Sequence, residues 1–404
     1  MQHHRYDVII AGAGLVGSAL ALGLGQAGMR VAVIDPLPES AQTNAGYDGR
    51  VSAIAIASTR ILDAIGVWPL LKVHAEPIYD IRVLDGDSPL FVHFDHREVG
   101  TDPFGYMIEN QQLRVALFTA LRTQQNVTFI AGDSIASYEV EGAQVTALCS
   151  SGNALHGSLL IAADGRLSSL RTQTGLSHRV VEYGQTAIVC TVKHSNPHHG
   201  VALERFLPPG PFAVLPMTRQ RSCIVWTEKE SYAPHIVALA DVDFNAELMK
   251  RMGDYWGDVE VVGKRHSYPL KLMFARDMVA ERFALIGDAA HGIHPIAGQG
   301  VNLGYRDVAA LVELLSEHHG LGLDIGDAMI LDRYARWRRM DSLSMTAFTD
   351  GLDRLFSNNI PGVRLARRLG LGLVNRAPFL KKRLMMRAMG LTSDAPKLLR
   401  GTAS

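Results

Sequence analysis

Cysteine is nearly missing from this chain: Cys149, Cys190 and Cys223 are the only three in 404 residues, far apart and without a CxxC. So sparse and odd a set excludes a disulfide scaffold and offers no cluster for structural zinc or an iron–sulfur centre. It suits a reducing cytosol. Long uncharged apolar runs are missing as well, none approaching the roughly 18 residues that cross a bilayer. A membrane, if met, is met from one side. There is no excess of either charge, with 40 Lys and Arg against 40 Asp and Glu. Nothing global therefore points to nucleic acid. Met1-Gln2-His3-His4-Arg5 runs straight into the strand-like Tyr6 to Ala11, so no secretory leader is expected. Internal repeats and low-complexity segments are absent too.

What is present reads as a soluble globular protein, 47% apolar and 20% charged. At 404 residues the chain exceeds one compact core, implying two domains or one domain with an insertion.

Residues 6–11 form a short apolar run of the kind buried in a parallel sheet. Gly12-Ala13-Gly14-Leu15-Val16-Gly17 follows, then a helix-like Ala/Leu stretch, then a second strand from Arg30 ending at Asp35. Gly12 permits the tight turn, Gly14 lets backbone approach a pyrophosphate, and Gly17 lets the helix pack against the strand. The helix N-terminus offers free N–H groups to phosphates. Asp35, eighteen residues past Gly17, stands where a carboxylate takes ribose hydroxyls.

Pro36 to Asp48 reads as a loop delivering Arg50, and Ile54 to Leu71 as helical. Residues 78–94 read as antiparallel strands, and 111–122 as helix. Val127 to Ile130 and Leu159 to Ala162 are again buried-strand-like. From about 183 to 270 the pattern is β-rich with Pro and Gly turns, interrupted by a helix near 241–252. Phe283 to Ile286 leads into Gly287-Asp288, a long helix from about 301 to 317, and a helical remainder from 331. His198-His199 and His318-His319 read as solvated pairs near turns. Phe212, Trp226 and Tyr268 are candidates for a cavity lining.

These patterns predict an α/β protein with a discontinuous Rossmann-like nucleotide-binding domain (1–75, 100–182 and 266–330). A mostly antiparallel β-sheet substrate domain (76–99 and 183–265) is inserted into it, and a helical region (331–404) closes the chain.

Two downstream turns favour FAD over a simple nicotinamide site. Asp164-Gly165 closes one apolar strand, with Ser168 and Arg171 behind it, and Gly287-Asp288 closes another. An extended dinucleotide needs such contacts spread along the chain. His294-Pro295-Ile296-Ala297-Gly298-Gln299-Gly300-Val301-Asn302 then enters a helix. Its glycines keep side chains away from a flat ring, and the helix N-terminus stabilises the charge a flavin gains on reduction. Asp288, His291 and His294 are spaced like metal ligands, but Pro295 interrupts the helix that would present them. No metal is expected.

Together the fingerprint, the two carboxylate turns and residues 294–307 resemble the group A flavoprotein aromatic hydroxylases. The last segment resembles the signature of the ubiquinone-biosynthesis hydroxylases, as do Asp48 to Ile54 and Gly66-Val67-Trp68. Glu204-Arg205-Phe206 and Gly263-Lys264-Arg265 lean toward the 2-polyprenyl-6-methoxyphenol hydroxylase branch.

The resemblance implies FAD contacts at Gly12, Gly14, Gly17, Asp35, Arg50, Asn110, Arg114, Asp164, Gly287, Asp288, Pro295, Gly298, Gly300, Val301 and Asn302. It places Arg50, Pro295, Gly298 and Gln299 beside the chemistry. Asp35 stands where many relatives have Glu, and Asn110 where several have Gln or Arg. The implied reaction is flavin reduction by NAD(P)H or another donor, O₂ addition to give a C4a-hydroperoxide, and hydroxylation of a polyprenyl phenol ring. A group A hydroxylase of a soluble aromatic compound, or a flavoprotein serving mainly as a complex subunit, stay as alternatives.

After Asp353 the chain carries eleven Lys and Arg against one acid, Asp394, interleaved with Leu, Met and Phe. Such a tail suits a membrane surface, a partner in a quinone-biosynthesis complex, or packing on its own domain. The expected partners are thus a polyprenyl phenol, O₂, one of these tail partners and a further copy of the chain, without nucleic acid. The expected location is the cytoplasm and the inner membrane face.

Overall fold

The computed structural model describes residues 5–44, 49–86, 88, 91–292, 300–339, 341, 377–391 and 395–400. A six-stranded sheet is ordered Val279–Ala280, Phe283–Leu285, Leu159–Ala162, Val8–Ala11, Val31–Asp35 and Val127–Ala131. All its pairings are parallel except the short hairpin at 279–284. The strand segments Val8–Ala11 and Leu159–Ala162 are fully buried, which is why their sequences are unbroken apolar runs. Helices Leu15–Gln26 and Gly300–Gly320 cover this sheet and share its core.

A second sheet of eight strands carries the other half of the molecule. Its order is His291–Gly292, Val259–Ala275, His178–His194, Arg221–Lys229, Gly210–Met217, Val201–Leu207, Asp80–Asp85 and Phe91–Asp95. Only Val201–Leu207 and Asp80–Asp85 pair in parallel, and that seam joins the two sequence pieces of the sheet. The strands His178–His194 and Val259–Ala275 run unbroken through positions 183 and 265. Helices Ala233–Val237 and Asp241–Met252 cover one face. Trp226, Phe212, Phe244 and Trp256 fill the space between, so Trp226 and Phe212 belong to the core under these helices.

Three readings change locally. The segment expected to be helical from Ile54 begins as a strand, Val51–Ala55, because it pairs antiparallel with Gly105–Glu109; the helices are Ile56–Ala64 and Trp68–Leu71, parted at Gly66. A three-stranded sheet (Ile135–Glu141, Gln144–Cys149, Ala154–Gly157) was not legible, since much of it is exposed and its apolar alternation is weak. His198 is not solvated. It is buried, Nε2 lies 3.0 Å from the Met217 carbonyl and Nδ1 accepts from the Gly200 N–H.

The three cysteines are buried and unpaired, and burial pushes the thiols up, Cys149 to about 11 and Cys190 to about 12. In the tail, helix Pro378–Ala388 packs Met385 and Met389 onto Ile56, Ile78, Phe104, Met107 and Ala202. Lys381 pairs with Glu98, and Lys397 with Glu317. The described part of the tail therefore docks on the chain's own body.

Buried His194 sits beside His198, with Nδ1 2.7 Å from the Asn196 carbonyl and Nε2 3.0 Å from Ser222 Oγ. Burial lowers both imidazoles below the ordinary histidine value. The unfolded chain thus binds protons at a higher pH than the folded one. Stability is full above the unfolded value of about 6.5 and falls as pH drops through the lowered folded values. We expect the urea midpoint to decline from pH 7 to pH 5, and the H194N/H198Q double variant to show a shallower decline. An identical slope in both proteins would assign the decline to other groups.

Candidate active site

The first strand lies between its two neighbours in strict register, Ala11 beside Ala162 and Ile34, and Ala162 beside Leu285. Three turns distant in sequence, at Gly12, Asp164 and Gly287, consequently leave the same edge of the sheet from adjacent strands. Asp35 ends the next strand over. The four strand ends span about 14 Å at normal strand spacing, a suitable length for an extended dinucleotide.

Gly12 has φ +103°, and a Cβ there would lie 2.4 Å from the Ala163 carbonyl oxygen. A Cβ on Gly17 would lie 2.0 Å from the Gly12 carbonyl oxygen. These two glycines let the first turn, the helix and the second turn touch. Gly14 differs: nothing lies within 4 Å of its Cβ position, so its surroundings are open on the side where a pyrophosphate would lie. Asp35 accepts from the Ala13 N–H at 2.7 Å and the Leu37 N–H at 2.9 Å, which fixes its carboxylate against the glycine turn. Each oxygen keeps a further lone pair for a hydroxyl.

The second turn is braced by Arg171, which donates to the Ala289 carbonyl at 2.8 Å and the Arg166 carbonyl at 3.0 Å. That buried side chain ties the 164–171 segment to the third turn. One Asp164 oxygen, Oδ1, is buried without a partner among the described residues. Asp288 points outward and is exposed. A buried acceptor lacking its donor, an open glycine and an exposed carboxylate on one sheet edge fit a polyhydroxylated dinucleotide such as FAD.

Arg50 is exposed, and its carbonyl accepts from the Asn110 N–H at 3.0 Å. Asn110 Oδ1 accepts from Ser52 Oγ at 2.6 Å, and Arg114 Nε donates to the Gln42 carbonyl at 2.9 Å. The helix of residues 110–121 therefore positions the loop that carries Arg50. Gly300, Val301 and Asn302 open the long helix. The buried Asn302 amide bonds the edge of strand Val51–Ala55, accepting from the Ala55 N–H at 2.9 Å and donating to the Ala53 carbonyl at 2.7 Å. Pro295, Gly298 and Gln299, like His294, lie outside the described residues.

Sequence reasoning missed the group that holds the third turn. Asp307, wholly buried, accepts from the Gly287 N–H at 2.9 Å and from Arg338 Nε at 2.7 Å, and lies 2.7 Å from His291 Nε2. Arg338 continues to Asp341, which also takes Arg306 at 2.7 Å. Burial pushes the Asp307 carboxyl up, but His291 and Arg338 outweigh it and hold it below its ordinary value. The signal available was Arg306-Asp307 inside an otherwise apolar helix face. His291 thus has a carboxylate partner, and no cluster of metal-ligating side chains occurs among the described residues.

The model of the FAD binding domain matches residues 5–349. The chain is 49% identical over 98% of its length, and 92% of the relative's, to the ubiquinone hydroxylase UbiL of Rhodospirillum rubrum. It is 34% identical over 97% of its length to the 3-demethoxyubiquinol 3-hydroxylase of Escherichia coli, which it covers completely at 100%. Among solved structures, p-nitrophenol 4-monooxygenase PnpA from Pseudomonas putida shares the fold with a TM-score of 0.78 at 20% identity, over 96% of this chain and 98% of that one. With the three turns and their braces in place, the chain belongs to the FAD-dependent hydroxylases of ubiquinone biosynthesis.

Proposed function

We propose that the protein hydroxylates the aromatic ring of a polyprenyl phenol intermediate of ubiquinone biosynthesis, using O₂ and a reductant such as NAD(P)H. The observation that carries this reading is the alignment of three carboxylate and glycine turns on adjacent strand ends, in a chain so close to a bacterial ubiquinone hydroxylase. Bound FAD would supply the redox chemistry that activates O₂. The chain's own residues bind and orient. Gly12, Gly14 and Gly17 with the first helix receive the pyrophosphate, and Asp35 the ribose. Asp164, Gly287 and Asp288 take the hydroxyls between ribose and ring. Gly300, Val301 and Asn302, which follow Pro295, Gly298 and Gln299 in sequence, would offer the ring the N-terminus of the long helix, and Arg50, Asn110 and Arg114 would complete its contacts. The eight-stranded sheet is the substrate half, and its face turned toward strand Val51–Ala55, opposite the two covering helices, would exclude water from the reacting ring.

The tail gives this reading a place to meet a lipid-phase substrate. Phe379 is 81% and Leu380 40% exposed, beside exposed Lys382 and Arg383. Apolar and basic side chains together on one helix suit an anionic membrane surface. No helix among the described residues is long and apolar enough to span a membrane.

Mass spectrometry of quinone intermediates in a deletion strain should reveal an under-hydroxylated prenyl phenol, cleared by the wild-type gene; unchanged quinones would overturn the reading. Asp288→Ala should purify without yellow colour yet unfold at the urea midpoint of the flavin-free wild-type protein, and a fully flavinylated variant would remove Asp288 from the site. Asp307→Asn should lose flavin and about 3 kcal/mol of stability, because Arg338 and His291 are left facing a neutral group. The F379S/K382E/R383E variant should sediment less with anionic vesicles while keeping its flavin, and equal sedimentation would confine the tail to packing on its own body.

A further inference from the structure

The face of the eight-stranded sheet opposite its two covering helices carries a group that the cofactor site leaves unused. On strand Val201–Leu207, Leu203 and Leu207 pack into the core under the two covering helices. Ala202 faces the other way, into the layer shared with Val51, Ala53 and Leu215. Strand alternation puts Glu204 on the Ala202 side. Its neighbours across the strands are Ala213 and Val83, and Val225 follows beyond Ala213. Glu204 is therefore a carboxyl with apolar cross-strand neighbours, and Asp85, opposite Phe206, is the next carboxyl along that face. The face is turned toward strand Val51–Ala55, which Asn302 bonds to the start of the long helix.

The Glu204 carboxyl makes no hydrogen bond or ion pair among the described residues. It is half-buried, closely surrounded by protein yet still reachable by solvent. Burial alone pushes its carboxyl up to about 7. An uncompensated carboxyl among apolar neighbours costs stability, and a ligand hydroxyl removes that cost. Breaks in local packing logic of this kind concentrate at functional positions.

We propose that Glu204 receives the phenolic hydroxyl of the substrate and takes its proton as the ring is hydroxylated. The proposal rests on the ring-hydroxylase reading above. The phenol O–H bond breaks and an O–H bond forms on the Glu204 carboxylate. The electron pair stays on the phenolic oxygen and feeds the ring. No electron is gained or lost in this transfer; O₂ and the reductant belong to the hydroxylation itself. When the ring regains aromaticity, the C–H bond at the carbon that took the oxygen breaks, its electron pair returning to the ring and its proton passing to water, and the Glu204 proton returns to the phenolic oxygen. A free phenol titrates near 10, three decades above a carboxyl at about 7. The resting complex therefore holds a hydrogen bond, and the proton moves only as the ring is attacked.

The test uses the FAD-loaded full-length enzyme with 2-geranylphenol and its methyl ether, binding being read from the flavin spectrum. Wild type should bind the phenol at least about tenfold more tightly than the ether, as expected for one buried hydrogen bond to a charged group. E204Q should retain flavin and lose about a hundredfold in kcat with KM changed only a few-fold, while E204D regains part of the loss. Product formation by E204Q within threefold of wild type overturns the assignment. Should E204Q fail to retain flavin, the wild-type preference decides alone: equal affinity for phenol and ether overturns the proposal. Equal affinity with product still formed sinks only the role of Glu204, whereas no product from the wild-type enzyme sinks the ring-hydroxylase reading beneath it.

Discussion

Everything at the cofactor edge depends on the parallel register of residues 8–11 between residues 31–34 and 159–162. A shift of one residue would turn Gly12 away from Ala163 and reverse the faces of strands buried on both sides. Because all these strands are apolar throughout, alternation does not fix their register. The close approach of Gly12, Gly17 and Ala163 does so instead: a Cβ at either glycine would overlap a carbonyl oxygen. The glycine turn is therefore as much a register lock as a phosphate cradle.

The third turn is held by a different means. Gly292 and Gly304 allow close contacts here too, but ionic groups hold the turn, in a place with almost no water. Asp307 gathers the Gly287 N–H, His291 and Arg338, and Arg171 spans to the Ala289 carbonyl. Removing solvent from such charges is costly, and only near-complete pairing offsets it. This fixes where Asp288 emerges, so the exposed carboxylate is placed by buried charge behind it. The long helix thereby supports both the turn and, through Asn302, strand Val51–Ala55.

Much of this was legible in the sequence. The fingerprint, Asp164-Gly165 and Gly287-Asp288 each announce themselves through an apolar run ending in glycine and an acid, and the helix at 241–252 stands out by its spacing. Other features were not legible, for physical reasons. Ile54 and Ala55 form a strand because Gly105–Glu109 lies alongside, a long-range partner that local propensity does not encode. Phe212 and Trp226 suggested a cavity, but a strand aromatic faces whichever side its neighbours dictate, and here helices cover it. Glu204 was noticed only as part of a family-like triplet, because its apolar cross-strand neighbours are in place only once four strands are assembled. His198 looked like a surface residue because burial of a satisfied histidine leaves no mark in composition.

The placement of strand Phe283–Leu285 has a consequence for how the chain is made. It pairs with Leu159–Ala162, more than a hundred residues earlier, and until it emerges from the ribosome that earlier strand is an unprotected sheet edge. Tail residues that pack on Ile56 and on Glu313 arrive later still. Synthesis adds roughly 5–20 residues per second, so an apolar edge and an unfinished cofactor groove persist for several seconds on each nascent chain. A cell that slows translation between these segments lengthens that interval and exposes the half-built sheet to aggregation.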